Sequence, residues 1–251
     1  MVTGAYYLPD DSKKHSPFGE DSYFICDEKC TIGVADGVGG WGRKGVDAGK
    51  YARELMINSH LAVQKHTNGV IEPKRILTEA FYNTHDAGSS TACIITLVGD
   101  CLHAVNIGDS GFVVIRDGKI VYRSPVQQHN FNCPYQLGNT GKERDRPKYA
   151  MVFKVAVEPG DVIVAATDGL FDNLFGHEIE EIVNVAIENC EDTEDMAMLL
   201  GENALFNALD EEVQTPFMEA AERAGKKRCN GKMDDITVIV ARIVSCCNTY
   251  F

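Results

Sequence analysis

The sequence predicts an α+β fold in which two β-sheets face each other and helices cover their outer surfaces. Nine short apolar runs have the composition of strands, several are joined by turns of two or three residues, and helical patterns occur in two separate blocks. Turns of that length permit only antiparallel pairing. Each sheet and each amphipathic helix must bury an apolar face, and a layered arrangement buries all of them.

The predicted strands are rich in Val, Ile, Thr and Phe, which are typical of β-structure. They cover residues 22–26, 31–35, 91–98, 102–107, 112–116, 119–123, 151–155, 162–167 and 236–243. Short turns at 99–100, 109–111 and 117–118 join four of them, and the last turn is Asp-Gly, a strong hairpin signal. We therefore expect an antiparallel meander over residues 91–123, with Asp109 in a hairpin turn.

The predicted helices carry apolar residues at helical spacing, as Tyr51, Leu55 and Ala62, four and seven residues apart, show. Thr193 and Thr215 are predicted to cap the helices that follow them, because a hydroxyl can accept from a free backbone N–H of the first turn. The first block of helices covers residues 46–66 and 73–87, and the second covers 177–189, 194–209 and 216–224.

Composition restricts the functions that are open to the chain. Its 251 residues are enough for one large domain, and a formal net charge of −13 disfavours nucleic acid and anionic membrane surfaces as partners. No apolar stretch reaches the length of a membrane span. No Gly-x-Gly-x-x-Gly lies at a strand-to-helix turn, so a dinucleotide-binding fold is not expected.

The nine cysteines include no Cys-x-x-Cys pair, which argues against a zinc finger. Their odd number and apolar settings indicate reduced, mostly buried thiols in an intracellular protein. The N-terminal segment has neither an apolar signal core nor an Arg-rich pattern, and the choice among mitochondrion, plastid and cytoplasm stays open. The cysteines concerned are Cys26, Cys93, Cys101 and Cys133, with Cys246 and Cys247 near the C-terminus.

Five short acidic motifs are far apart along the chain, and each one borders an apolar run. They are GED at 19–21, ADG at 35–37, GDS at 108–110, TDG at 167–169 and MDD at 233–235. Mg2+ and Mn2+ prefer oxygen ligands, and many carboxylates can gather in one place only if cations neutralise them. The motifs therefore predict a metal cluster to which most of the chain contributes.

Three of the motifs present an Asp where a predicted strand begins or ends. Asp36 and Asp168 each follow a strand and precede a glycine, and Gly37 leaves room for its own carbonyl to face a cation. Asp234 precedes the last strand. The alternative for Asp36 and Asp168 is a plain Asp-Gly turn.

The other acidic candidates have stronger structural alternatives. Glu20 and Asp21 stand before a strand and could form a charged strand edge. Asp109 lies in a predicted turn, where Asp is common in any protein. Asp172 could cap the helix that follows Asp168 or reach the site through water.

Taken in order, these motifs resemble the metal-dependent Ser/Thr protein phosphatases of type 2C. The resemblance rests on GVADGVGGW, GSSTA, NIGDSGF, ATDGLFDN and DDITV, and it extends from Gly19 to Val240. The segments GVGGW, QQHNF and TPF resemble a compact branch with several mitochondrial or plastid members. The resemblance implies a four-layer α/β/β/α sandwich, a single domain over residues 1–251, and two or three Mg2+ or Mn2+ ions between the sheets.

The resemblance also implies a role for each acidic residue. Asp36 bridges two cations, and the Gly37 carbonyl binds one of them. The remaining expected ligands are Asp168 and Asp234 at the other cation, Glu20 and Asp21 mainly through water, and Asp109 with Asp168 at a weaker third position, with Asp172 nearby.

Two positions depart from the pattern of well-known members. Val38 stands where many members have a histidine that protonates the leaving oxygen, and Ser16 stands where many have a phosphate-binding arginine. Water could supply the proton. The residues that could supply the missing positive charge are Lys13, Lys14, His15 and Arg43.

The expected function is hydrolysis of phosphoserine and phosphothreonine on proteins by a metal-activated water, without a covalent phosphoenzyme. The sequence contains neither a Gly-x-Ser-x-Gly elbow nor a zinc-type His pair, so these motifs give no support to a serine hydrolase or a zinc enzyme. We expect a monomer whose partners are phosphorylated protein substrates. Two alternatives stay open, a catalytically impaired binding module and another metal-dependent hydrolase, such as a nuclease or a small-phosphate phosphatase.

Overall fold

The computed structural model describes residues 1–13, 16–67, 69–139, 145–227 and 230–245. The strands in these ranges are β1 (Val2–Leu8), β2 (Asp21–Cys26), β3 (Thr31–Asp36), β4 (Ser89–Ser90), β5 (Ala92–Val98), β6 (Cys101–Ile107), β7 (Gly111–Arg116), β8 (Lys119–Arg123), β9 (Gln128–Asn130), β10 (Cys133–Pro134), β11 (Leu137–Gly138), β12 (Met151–Ala156), β13 (Val162–Ala166) and β14 (Ile236–Arg242). The helices are α1 (Ala48–Lys65), α2 (Pro73–Asn83), α3 (Asp168–Phe171), α4 (Gly176–Glu188), α5 (Thr193–Leu209) and α6 (Pro216–Arg223).

Ten of the strands form two five-stranded antiparallel sheets. The first sheet has the strand order β1-β14-β13-β7-β8, and the second has the order β12-β6-β5-β3-β2. The short strands form two separate pairs, β4 with β11 and β9 with β10. The predicted division into two antiparallel sheets is therefore confirmed.

Three groups of buried side chains hold four layers together. Helices α1 and α2 cover the second sheet, α4 and α5 cover the first, and a third apolar group fills the space between the sheets. Burying one such Leu, Ile or Phe side chain contributes about 1.5–3 kcal/mol. The four-layer α/β/β/α sandwich is confirmed. Representative side chains are Leu55 and Leu77 on the second sheet, Val183 and Leu200 on the first, and Val34, Phe112 and Ile163 between them.

The predicted meander over residues 91–123 is wrong at its centre. Strands β5 and β6 form a hairpin in the second sheet, whereas β7 and β8 form a hairpin in the first. Asp109 therefore lies in a crossing between the sheets and not in a hairpin turn. The crossing needs a glycine, because Gly108 has φ of +103° and a Cβ there would stand 2.6 Å from Thr91 Cγ2.

Two further sequence predictions differ from the structure. Strand β1 was not predicted, because VTGAYYL has no apolar alternation; it forms by pairing with β14. Asp192, and not Thr193, caps α5, since its carboxylate accepts from the N–H groups of Glu194 and Asp195. The prediction for Thr215 is confirmed, because its hydroxyl accepts from Met218 N at 3.3 Å.

The described cysteines are all free, in agreement with the expectation of reduced thiols. Of the described cysteines, only Cys26 and Cys93 are buried, whereas Cys133 in the short strand β10 and Cys190 just after α4 are exposed. Cys246 and Cys247 lie outside the described residues. Within the described ranges, no helix has both the length and the apolar character needed to cross a bilayer.

Candidate metal centre

Acidic residues from both sheets meet at one edge of the sandwich. Asp36 is the last residue of β3, and Asp21, the first of β2, is its direct cross-strand partner. Asp168 begins α3 directly after the end of β13, and Asp234 precedes β14 in the same sheet. Asp109 enters from the crossing between the sheets. Residues that are far apart in sequence are thereby fixed by strand ends.

The carboxylates form two groups that could each hold a cation. Oxygens of Asp36, Asp109 and Asp168 lie within 4.8 Å of one another, and all three residues are buried. In this group, Asp109 Oδ1 and Asp168 Oδ1 have no hydrogen-bond partner among the described residues. Buried oxygens of this kind are the donors that a hard divalent cation prefers. The second group consists of Glu20, Asp234 and Asp235.

Burial and mutual repulsion act on the ionisation of these carboxyl groups. Burial first, and then the charge of Asp168, raises the pKa of Asp36 well above its usual range. The same two causes raise the pKa of Asp109 to about 7. Burial and then Asp235 raise the pKa of Asp21. Cations in the cluster would relieve this repulsion.

Two lysine ammonium groups stand among the carboxylates. Lys232 Nζ contacts Asp168, lies 3.0 Å from Asp234 Oδ2 and lies 3.3 Å from Asp172 Oδ2. Lys13 Nζ contacts Asp234 and lies 3.0 Å from Glu20 Oε2. Although burial acts in the opposite direction, Lys232 and Lys13 lower the pKa of Asp234 to about 2. The ammonium groups therefore neutralise part of the cluster.

Hydroxyl groups fix the positions of the buried carboxylates. Asp21 Oδ2 accepts from Thr167 Oγ1 and Thr237 Oγ1, each at 2.7 Å. Thr91 Oγ1 accepts from Asp36 N at 3.1 Å and is 2.6 Å from Ser110 Oγ. The first two contacts hold the Asp21 carboxylate from the other sheet, and the contacts of Thr91 hold the backbone of Asp36.

Asp235 supports the loop that precedes β2. Its Oδ1 accepts from Asp10 N at 2.6 Å, and its Oδ2 accepts from Glu20 N at 2.7 Å and from Lys13 Nζ at 2.6 Å. The Asp235 carboxylate therefore holds the backbone of this loop at two N–H groups. It positions Glu20 beside the centre.

The backbone at Gly37 packs as closely as the sequence predicted. Gly37 N donates to Glu20 O at 3.0 Å, and a Cβ at Gly37 would stand 2.6 Å from both Ala48 O and Glu20 O. Any side chain here would push α1 and the Glu20 loop away from the centre. Glycine is thus required by packing alone.

Four residues were proposed to supply the positive charge of the missing arginine. Of these, Lys13 lies in the acidic cluster. Ser16, at the arginine position, is buried and donates to Glu20 Oε1 at 3.2 Å. Arg43 is exposed in the 3-10 helix Gly39–Lys44. Lys14 and His15 lie outside the described residues.

The remaining candidate, Asp172, closes the short helix α3. Its carboxylate faces Lys232. The alternative in which Asp172 caps the N-terminus of this helix is wrong, because Thr167 occupies the N-cap position and Asp172 the C-cap position. Gln128, on β9, donates to Asp109 Oδ2 at 2.8 Å. The QQHNF and TPF segments meet beside the centre, with the rings of Phe131 and Phe217 5.2 Å apart.

Sequence reasoning missed Lys232, Thr167 and Thr237. A signal for Lys232 was present, since a lysine stands two residues before the Asp pair in an acidic motif. Thr167 and Thr237 adjoin predicted strand ends, but a sequence does not show that both point at Asp21. Their role required the pairing of β13 with β14.

The fold and the site together define a two-sheet α/β/β/α sandwich with an acidic cluster built from both sheets. Comparison with known families and structures gives a family and a fold that agree with this description. The family described as Stage II sporulation protein E (SpoIIE) matches residues 27–244. The X-ray structure of the photosystem II phosphatase PBCP is 31% identical, covers 96% of this chain and 98% of that one, and superposes with a TM-score of 0.88.

Curated relatives give the same family. Probable protein phosphatase 2C 55 of Arabidopsis thaliana is 51% identical over 98% of this chain and 52% of its own length. The protein phosphatase PTC7 homolog fig of Drosophila grimshawi is 39% identical over 90% of this chain and 80% of its own. This chain therefore belongs to the protein phosphatase 2C family. It spans about half the length of the first of these relatives.

A more distant structure shares the fold. The catalytic domain of the serine/threonine phosphatase PstP, solved in complex with two manganese ions, is 16% identical. It covers 97% of this chain and 98% of that one, with a TM-score of 0.64.

Proposed function

We propose that this chain hydrolyses phosphoserine and phosphothreonine monoesters on proteins, with Mg2+ or Mn2+ ions bound by its acidic cluster. The observation that carries the proposal is the meeting of Asp36, Asp109 and Asp168, in which Asp109 Oδ1 and Asp168 Oδ1 are buried without a hydrogen-bond partner among the described residues. Family membership and the manganese ions of PstP support this chemistry. We assign the activity to residues 1–251 as one domain, because both sheets contribute ligands.

The donor set suits hard cations, because it consists of carboxylate and carbonyl oxygens. Bound divalent ions supply Lewis acidity, which lowers the pKa of water and stabilises charge on the phosphoryl group. Two or three ions are proposed. The proposed ligands are Asp36, Asp168, Asp234 and the Gly37 carbonyl directly, Glu20 and Asp21 through water, and Asp109 with Asp168 at the weakest position.

We propose that the chain's own residues orient the substrate and that no covalent intermediate forms. Lys13 Nζ pairs with Glu20, Asp234 and Asp235 in the cluster, and we propose that it turns a donor from one of them to a phosphoryl oxygen of the substrate. Val38 has no ionisable group, so we propose that the leaving oxygen takes its proton from water. No nucleophilic side chain is invoked, because water attacks phosphorus in line.

The test is hydrolysis of a phosphothreonine peptide with Mn2+ and with excess EDTA. Wild type is expected to turn over only with Mn2+, and Asp36→Asn to lose at least about 10²–10³-fold in kcat/KM with unchanged circular dichroism, since it removes charge stabilisation in the transition state. Lys13→Met is expected mainly to raise KM. Full activity of Asp36→Asn in EDTA would falsify the proposal.

The same assay addresses the two alternatives. Zero turnover by wild type at every Mn2+ concentration would indicate a binding module, which the complete set of acidic ligands argues against. Faster hydrolysis of pyrophosphate or plasmid DNA than of the phosphopeptide would indicate another hydrolase.

A further inference from the structure

Lys232 contributes a fixed positive charge at the centre of the acidic cluster. Its side chain is only 14% exposed, and its ammonium group contacts carboxylates that approach from two directions. Asp168 and Asp172 belong to the segment after β13, whereas Asp234 precedes β14. A surface lysine would not meet three carboxylates from two elements.

The backbone around Lys232 is clamped in a way that fixes where its side chain begins. Lys232 N donates to Asn173 Oδ1 at 2.9 Å, and Asn173 Nδ2 donates to Lys232 O at 2.8 Å. Asn173 is itself fully buried and also donates to Gly169 O at 2.9 Å. Asn207 Nδ2 in turn donates to Asn173 O at 3.0 Å. The buried Asn173 amide thus ties the lysine to the helix that carries Asp168, and Asn207 ties Asn173 to α5.

Lys232 shares its carboxylate partners with the proposed cations. It contacts Asp168 Oδ2, in the first carboxylate group, and lies 3.0 Å from Asp234 Oδ2, in the second, and both residues are proposed as direct metal ligands. An ammonium group and a divalent ion cannot occupy the same oxygens at short range, because like charges repel and each oxygen has few lone pairs. The other oxygen of Asp168, Oδ1, has no partner among the described residues.

We propose that Lys232 is a built-in competitor of a divalent cation, which neutralises Asp168 and Asp234 in the metal-free protein and must leave them when that cation binds. The inference rests on one part of the proposed function, namely that the acidic cluster binds divalent cations. Its consequence is a lowered metal affinity, so that occupancy of this position follows the surrounding Mg2+ or Mn2+ concentration. In exchange, the ammonium group compensates part of the buried negative charge of the cluster in the metal-free protein.

The test is calorimetric Mn2+ titration of the full chain and three variants. Lys232→Met should bind the affected ion at least about tenfold more tightly, since its competitor is gone. Lys232→Arg, which retains the charge, should bind Mn2+ like wild type. Lys119→Met, which removes a lysine that pairs with Glu180 on the surface, should also match wild type. Equal or weaker Mn2+ binding by Lys232→Met would overturn the proposal.

A second measurement does not depend on the folding of a variant. In wild type with 15N-labelled lysines, the Lys232 ammonium resonance should be observable by NMR in metal-free protein and should shift when Mg2+ is added. An unchanged Lys232 resonance at saturating Mg2+ would overturn the proposal. Failure of the phosphopeptide assay with these binding results intact would instead count against the proposed function alone.

Discussion

Asp21 shows how single residues build the centre. The carboxylate is buried, and Thr167 and Thr237 direct hydroxyl groups at the same oxygen. A buried charge without such donors would be costly. Thr167 also accepts from Thr237 N at 3.1 Å, which ties the end of β13 to β14. One hydroxyl therefore serves both the site and the sheet.

Replacing Thr167 by Val should weaken both functions. The variant leaves Thr237 N unpaired and removes one donor from Asp21, so we expect a loss of about 1–3 kcal/mol in the free energy of unfolding. Mn2+ affinity should fall about 10–100-fold, as for residues that orient metal ligands. Chemical denaturation and calorimetry measure these effects.

Two matched variants serve as controls for Thr167→Val. Thr167→Ser keeps the hydroxyl and should restore Mn2+ binding. Thr78→Val removes a hydroxyl that bonds only to Lys74 O within α2, and it should leave Mn2+ binding unchanged. Wild-type Mn2+ affinity in Thr167→Val would contradict the assigned role.

At the residue scale, the sequence predicted the acidic positions and missed their partners. Asp36 and Asp168 could be identified because each follows an apolar run and precedes glycine. Lys232 was missed although it stands two residues before an Asp pair, because a lysine near acidic residues is ordinarily a solvated surface charge. Only the folded chain shows that its ammonium group is buried among them.

At the scale of elements, an ion pair joins β7 to the entrance of β13. Arg116 donates from Nε and Nη2 to Asp161 at 2.9 and 2.7 Å, and Glu158 N donates to Asp161 at 2.9 Å. Burial acts to raise the pKa of Asp161, but hydrogen bonds from Arg116 and Glu158 outweigh it and lower the pKa. Folding therefore favours the ionised carboxylate.

This pair should make part of the stability dependent on pH. Because the pKa of Asp161 is lower in the folded state, the stabilisation is fully present above its unfolded-state pKa of about 3.9. It is lost as the pH falls through the folded-state pKa. Asp161→Asn should cost about 1–3 kcal/mol at neutral pH. Its difference from wild type should shrink below about pH 4, as measured by urea denaturation across pH.

A control variant isolates this effect from the titration of the metal centre. Asp100→Asn removes an exposed turn carboxylate and should leave the free energy of unfolding at neutral pH close to that of wild type. If the difference between Asp161→Asn and wild type stayed constant from pH 7 to pH 3, the ionic role of Asp161 would be refuted.

The element scale also shows where sequence reasoning ended. Turn residues identified the β5–β6 and β7–β8 hairpins, because turn chemistry is local. The crossing at Asp109 carries a similar turn sequence, yet it connects different sheets. The second partners of β6 and β7 are β12 and β13, whose paired residues are at least 45 positions away, and no local signal encodes that pairing.

At the scale of the whole molecule, the sandwich concentrates negative charge at one edge. The net charge is −13, and ends of β3 and β13, from opposite sheets, deliver Asp36 and Asp168 to the same group. Neither sheet alone would contain the centre. The layered core between the sheets therefore sets the distances among the carboxylates.

The most direct test of this account is anomalous diffraction from crystals soaked in Mn2+. The account predicts anomalous peaks within the acidic cluster, bound by Asp36, Asp168 and Asp234, and their loss in Asp36→Asn crystals. Mn2+ peaks confined to other surfaces, with this cluster empty at saturating Mn2+, would contradict it.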